Sequence, residues 1–168
     1  TAGSSYSLTI QISDSGSPSQ TGSGPITINV IDQAVASQGI EQQIFSNIEG
    51  LSTGNLTSSP NYPDSASYNR TLSSFDSGSN IGDKYGSRVR AYVIPPTSGS
   101  YRFYISSDDD SQLFLSSDVS AENKVQIASV SGWTPYNDWT NKISQQADPI
   151  ALNAGQKYYI EVLHKEGA

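Results

Sequence analysis

Three consecutive carboxylates, Asp108-Asp109-Asp110, stand in the run Ser106-Ser107-Asp108-Asp109-Asp110-Ser111, and no other residues of the chain point so directly to chemistry. Adjacent anionic side chains repel one another unless a cation lies among them. Carboxylate oxygens are the donors that a hard ion such as calcium takes, about six to eight oxygens at a time. The chain has no cysteine and one histidine, so thiolate and zinc sites lack ligands and a bound ion would have to be held by oxygen. Taken alone, the run Ser106 to Ser111 is equally an acidic solvated turn.

A second constellation is aromatic. Trp133, Tyr136 and Trp139 lie in the polar, turn-rich segment Ser131-Gly132-Trp133-Thr134-Pro135-Tyr136-Asn137-Asp138-Trp139. Flat apolar rings in such a loop either stack on sugar rings or pack beneath the loop as a small satellite core. The satellite reading suits Trp139 and, less strongly, Trp133, whereas Tyr136 and Asn137 read as exposed contacts. Trp133, Tyr136 and Asn137 are the candidate glycan-binding residues.

Catalysis is poorly served. His164 shares strand parity with Tyr158, Ile160 and Val162 and reads as a half-buried structural residue at the end of an inward face. With no second histidine, no cysteine and no Gly-x-Ser-x-Gly elbow, an activated nucleophile has no base. Glycoside hydrolysis needs two carboxylates across a cleft. A pair such as Glu161 and Asp138 is available in the sequence, but nothing favours it, and an enzyme is not expected.

The elements that must position these residues are strands. At 168 residues, with 35% hydrophobic content and an abundance of Ser, Thr, Asn, Gly and Tyr, the chain favours short strands and many turns. Val89, Ala91 and Val93 alternate before Pro95-Pro96. Tyr101, Phe103 and Ile105 follow, then Leu113 and Leu115, and finally Tyr158, Ile160 and Val162. Such alternation marks sheets with one buried face. Pro95 to Gly99 predicts a turn between two neighbouring antiparallel strands, and Asn153-Ala154-Gly155 another. Residues 40–48 read as a bent strand, and 50–86 as long surface connections carrying short strands.

Residues 1–32 form a separate pattern. Tyr6, Leu8, Ile10 and Ile12 lie on one face, and Ile26, Ile28 and Val30 on another after a Ser/Gly/Pro loop. This hairpin resembles the C-terminal part of a cadherin-like or Ig-like surface repeat, joined by a small polar linker at 33–38 to a second domain at 39–168. Nine basic against sixteen acidic residues give a net charge of −7, which repels a phosphate backbone or an anionic membrane surface, so nucleic acid is a poor partner. No apolar run is long enough for membrane insertion. The chain starts and stops inside strand-like patterns, as a segment of a long extracellular or cell-surface protein would. The sequons Asn55-Leu56-Thr57 and Asn69-Arg70-Thr71 arise readily by chance in this composition.

Four motifs, in order, carry a more specific resemblance: Tyr85-Gly86-Ser87-Arg88-Val89-Arg90, Pro95-Pro96-Thr97-Ser98-Gly99-Ser100-Tyr101-Arg102-Phe103, Ser107-Asp108-Asp109-Asp110-Ser111-Gln112-Leu113 and Gly155-Gln156-Lys157-Tyr158-Tyr159-Ile160-Glu161. Residues 39–168 resemble the PA14 domain. The resemblance implies an all-β, jelly-roll-type β-sandwich in which Asp108 and Asp109, joined by a cis peptide, ligate one Ca²⁺. Asp110, where the family more often has Gly, is a possible additional ligand. In sugar-binding members the same ion also contacts ligand hydroxyls, which implies a calcium-dependent adhesion module for glycans or glycoconjugates on another surface. The alternative is a non-catalytic spacer whose calcium only stiffens a loop. The family usually continues past Ala168 with a Gly-Gly-Asp-like loop and a closing strand, so the resemblance also implies that this chain lacks both.

Overall fold

A computed structural model describes residues 27–28, 39–78 and 81–167. The alternating runs form β1 (Thr27–Ile28), β2 (Ile40–Ser46), β3 (Tyr68–Leu72), β4 (Tyr85–Ile94), β5 (Gly99–Tyr101), β6 (Ser111–Ser116), β7 (Lys124–Val130), β8 (Ile150–Leu152) and β9 (Tyr158–Glu166). One antiparallel sheet runs β3-β2-β4-β9-β6-β7, with β1 paired to the far end of β4, and β5-β8 forms a second, smaller layer. The Tyr104–Gln146 bridge extends the small layer. The all-β sandwich expected from the sequence is what the chain adopts.

Side-chain parity explains the packing. Val89, Ala91 and Val93 on β4, Tyr158 and Ile160 on β9, and Leu113 and Leu115 on β6 face inward. They meet Tyr101, Phe103, Ile105, Ala147 and Leu152 from the small layer. Each fully buried Leu, Ile, Val or Phe contributes roughly 1.5–3 kcal/mol. The opposite parity builds a second cluster, Phe45, Ile48, Leu56 and Leu163, on the outer face of the large sheet. The five-residue helix α1 (Thr53–Thr57) covers it, with Leu56 fully buried. Asn55 Oδ1 accepts from Ser52 N–H (3.0 Å) and Ser52 Oγ–H (2.8 Å), which fixes the start of α1. The same outer face also carries the buried Glu161, ion-paired to Lys124 Nζ at 3.0 Å and hydrogen-bonded by Tyr159 Oη–H at 2.5 Å.

Three expectations change. The Pro95–Gly99 turn does not join two paired strands: it carries the chain from the large sheet to the small layer, where β5 pairs with β8. Adjacent prolines supply no N–H for a ladder, and Pro95 O is taken instead by Gly155 N–H (2.9 Å). Of the run Tyr101, Phe103 and Ile105, only Tyr101 is in a regular strand. β7 and α1 were not foreseen. Val125 is 63% exposed and the β6–β7 register shifts at Leu113/Phe114, so β7 lacks a clean alternation. Of the expected N-terminal hairpin, Thr27 and Ile28 pair with Ile94 and Val93, and the rest lies outside the described residues. β9, the last described strand, is interior to the sheet, between β4 and β6.

Helix α1 sits tightly on β4. A Cβ built on Gly86 would lie 2.4 Å from Leu56 Cδ1. Gly86→Ala is therefore expected to destabilise the domain by about 1–3 kcal/mol. Adding Leu56→Ala should then cost less than Leu56→Ala alone, because the new methyl enters the vacated space. Urea unfolding of the four proteins checks this; simple additivity would refute the contact.

Candidate calcium and ligand site

The cross-strand row Ile44–Ser87–His164–Ser111–Val130 marks where the inward face turns polar. One row deeper, Val89, Val162, Leu113 and Ala128 are aligned and apolar. Ser87, Ser111 and His164 thus form a polar floor at one end of the sandwich, and the segment Ser107–Asp110 leads into β6 at that same end.

The acidic segment is held from several sides. The Asp108–Asp109 peptide is cis, as the resemblance implies. Ser107 Oγ–H donates to Asp109 O (2.7 Å) and lies 2.7 Å from Ser111 Oγ. Lys165 N–H donates to Asp110 O at 2.9 Å. His164 Nε2 bonds the Asp108 carbonyl. A carbonyl only accepts, so Nε2 carries the proton. Burial pushes the His164 imidazole below its ordinary range, opposed by that bond and by the charge of Asp109. Its ring packs edge-on against Tyr85, with centroids 5.7 Å apart. The structural role expected of His164 is therefore a specific one: it holds the backbone of the aspartate pair.

The carboxylates themselves divide. Asp109 Oδ2 accepts from Gly167 N–H at 3.0 Å. That approach needs glycine, since a Cβ on Gly167 would lie 2.1 Å from Leu51 Cδ2 and 3.0 Å from Asp109 Oδ2. Asp110 Oδ1 accepts from Gly132 N–H at 2.6 Å, so part of this carboxylate braces the neighbouring loop. Glu166 completes the cluster. Its carboxyl is held above the usual range by burial, then by the charges of Asp108, Asp109 and Asp83. Lys165 is the nearby cation, its Nζ donating to Glu166 O. Burial pushes this ammonium down, and Asp109, Glu166 and Glu49 push it back up.

No group of three or more His, Asp or Glu side chains among the described residues is arranged to hold a metal by itself. The pair Asp108 and Asp109 nevertheless fits a calcium ion in chemistry. Both are hard oxygen donors in a net acidic setting, and calcium readily completes its shell with carbonyls and water.

The aromatic loop is bonded directly to this segment. Thr134 N–H donates to Ser107 O (2.8 Å), and Ser107 N–H donates to Thr134 Oγ1 (3.1 Å). With the Gly132–Asp110 bond, this fixes the backbone on both sides of Trp133. Trp133 and Tyr136 are 61% and 65% exposed, Asn137 is exposed, and Trp139 is 41% exposed, so the satellite core expected for the tryptophans does not form. Tyr136 Oη–H donates to Asp76 Oδ2 at 2.6 Å, which ties in the 73–78 loop. Asp138 belongs to this loop too, on the side of the small layer, where Gln145 Nε2 donates to its carbonyl. Glu161 lies on the outer face of the large sheet, so these two carboxylates do not face each other across a cleft.

Sequence reasoning reached Asp108, Asp109, Asp110, Trp133, Tyr136 and Asn137 but missed Glu166, Asp83, Thr134 and Asp76. Glu166 continues the parity of His164 and was within reach of that argument. Thr134 and Asp76 carried no signal, because their partners lie 27 and 60 residues away in the chain.

Comparison with known proteins gives a consistent picture. The family model described as PA14 domain matches residues 49–167. β2 precedes the matched span yet pairs within the same sheet. Fibrocystin-L of Mus musculus is 38% identical over 84 residues, which make up 50% of this chain and 2% of that protein. N-acetyl-beta-glucosaminyl-glycoprotein 4-beta-N-acetylgalactosaminyltransferase 1 of Mus musculus is 36% identical over 86 residues, 49% of this chain and 8% of that protein. The chain thus spans a small fraction of the curated relatives it matches. The structure of β-glucosidase from Kluyveromyces marxianus in complex with glucose aligns with a TM-score of 0.50 at 13% identity, over 81% of this chain and 15% of that one, a likeness of fold alone. With a match that takes in α1, β3 to β9 and the aspartate pair, the chain belongs to the PA14 domain family.

Proposed function

We propose that this chain is a calcium-dependent glycan-binding module of an extracellular or cell-surface protein, serving adhesion and working beside other domains of a longer chain. The observation that carries the reading is the joining of the acidic segment and the exposed aromatic loop into one hydrogen-bonded unit, through Gly132–Asp110 and Thr134–Ser107. Asp108 and Asp109 would hold the ion, with Asp110 as a possible additional ligand. Bound calcium supplies positive charge and coordination positions that neutral hydroxyl pairs can fill.

The chain's own residues do the rest. Trp133 and Tyr136 offer apolar faces to the C–H side of a sugar ring, and Asn137 offers both a donor and an acceptor. His164, Ser107 and Gly167 keep the aspartates in place. One relative lends support of a general kind, being named for acting on an N-acetyl-beta-glucosaminyl-glycoprotein. Among the described residues no helix is long and apolar enough to cross a membrane.

Calorimetric titration tests the ion site. Wild type is expected to bind calcium, and Asp108→Asn or Asp109→Asn to weaken it roughly tenfold or more, since affinity follows ligand charge. No calcium binding by the wild type would sink the assignment. A glycan array in calcium, repeated with chelator, tests the ligand. Trp133→Ala should lower the signal of any calcium-dependent hit roughly tenfold while leaving calcium affinity unchanged. Calcium binding without hits would favour the spacer, in which the ion only stiffens the loop.

A further inference from the structure

Tyr136 poses a question that packing does not answer. Its side chain is 65% exposed, so neighbouring atoms alone do not fix the ring. Yet its hydroxyl makes a 2.6 Å bond to a carboxylate 60 residues away. Asp76 is in turn fixed within its own turn, Oδ1 accepting from Gly78 N–H at 2.8 Å. The turn is anchored from below. Arg70 Nη2–H donates to Ser77 O (2.7 Å) and Arg70 Nε–H to Gln42 Oε1 (2.6 Å). Gln42 is fully buried, and its Nε2–H donates to Ser87 Oγ at 2.8 Å, on the polar floor beside His164.

These bonds form a strut from the floor of the site to its rim: Ser87, Gln42, Arg70, the Ser77 carbonyl, Asp76 and the Tyr136 hydroxyl. We propose that Asp76 is a positioning residue: it holds the Tyr136 ring at the rim of the site, so that the ring is ordered before a glycan arrives. The consequence for glycans rests on the proposed function; the strut itself does not. An unheld tyrosine would lose its rotamer freedom on binding, weakening affinity roughly three- to tenfold, and the Asp76 bond removes that penalty in advance. A charged acceptor is suited to this at an exposed position, where a neutral bond would compete poorly with water. The electrostatics agree: the Tyr136 phenol is raised above its ordinary range, first by the hydrogen bond to Asp76 and then by its charge, with Asn137 acting in the opposite sense.

The test uses the whole chain labelled with 3-fluorotyrosine, the Tyr136 resonance being assigned by its loss in Tyr136→Phe. In the absence of any sugar, Asp76→Ala is expected to lower the phenol's titration midpoint and narrow its ¹⁹F line as the ring becomes mobile. Asp76→Asn keeps an oxygen acceptor but not the charge, and should give a line width between those of wild type and Asp76→Ala while losing most of the raised midpoint. Calcium affinity should be the same in all three proteins. If Asp76→Ala changes neither midpoint nor line width, the proposal is overturned, whatever sugars bind. Methyl glycosides of galactose, glucose, mannose and N-acetylglucosamine are then titrated by calorimetry in calcium. Any that bind wild type should bind Asp76→Ala roughly three- to tenfold more weakly, with Asp76→Asn falling between the two. Equal affinity despite a mobile ring would overturn the claim that order precedes binding. Absence of all binding with the strut behaving as expected would instead count against the glycan reading and leave the strut standing.

Discussion

An antiparallel sheet shows one face to its core, and in this domain that face changes character between adjacent rows. Val89, Val162 and Leu113 align in one row, Ser87, His164 and Ser111 in the next. The apolar row seals the sandwich against the small layer. The polar row cannot be covered by apolar side chains without leaving hydroxyl and imidazole groups unsatisfied, at a penalty of about 1–3 kcal/mol each. It meets polar partners instead: His164 the Asp108 carbonyl, Ser111 the Ser107 hydroxyl and Ser87 the Gln42 amide. The position of the site follows from this boundary.

Above that floor, hydrogen bonds rather than apolar contacts organise the loops. Ser107 and Thr134 exchange backbone and side-chain bonds, Asp110 takes the N–H of Gly132, and Asp109 takes that of Gly167. Each such bond to a charged acceptor is worth more than a neutral one, about 1.5–3 kcal/mol against about 1. The arrangement leaves Trp133 and Tyr136 outside the packed interior without leaving their backbones loose. Their aromatic surface stays in water and takes no part in building the core.

The outer face of the large sheet obeys a different logic. Lys124 and Glu161 meet at 3.0 Å with the carboxylate almost fully buried, whereas Lys84 and Glu49 meet at the same distance with side chains 53% and 79% exposed. Distance alone would rank the two pairs equally. Desolvation separates them: the exposed pair contributes at most about 1 kcal/mol. Loss of Lys124 would strand a charge inside the protein, a penalty of about 3–5 kcal/mol. Glu161 is therefore committed to structure, which accounts for its failure to meet Asp138.

What the sequence determined by itself was set by short-range physics. Alternation over β4, β6 and β9 identified the strands and their inward faces, including the parity of His164. The ordered motifs from Tyr85 to Glu161 carried the family and, with it, the cis peptide between Asp108 and Asp109. Local pattern failed where burial did not follow period two, as at the bulged β7 and the five-residue α1, and where pairing depended on a distant partner, as with β5 and β8. Only the tertiary structure decided that Trp133 and Trp139 stay exposed, that Asp110 braces Gly132, that His164 grips the Asp108 carbonyl and that Tyr136 reaches Asp76. The three bonds join residues 22 to 60 positions apart, and contacts at that separation exist only once the sheet has set the register that brings the loops to one end.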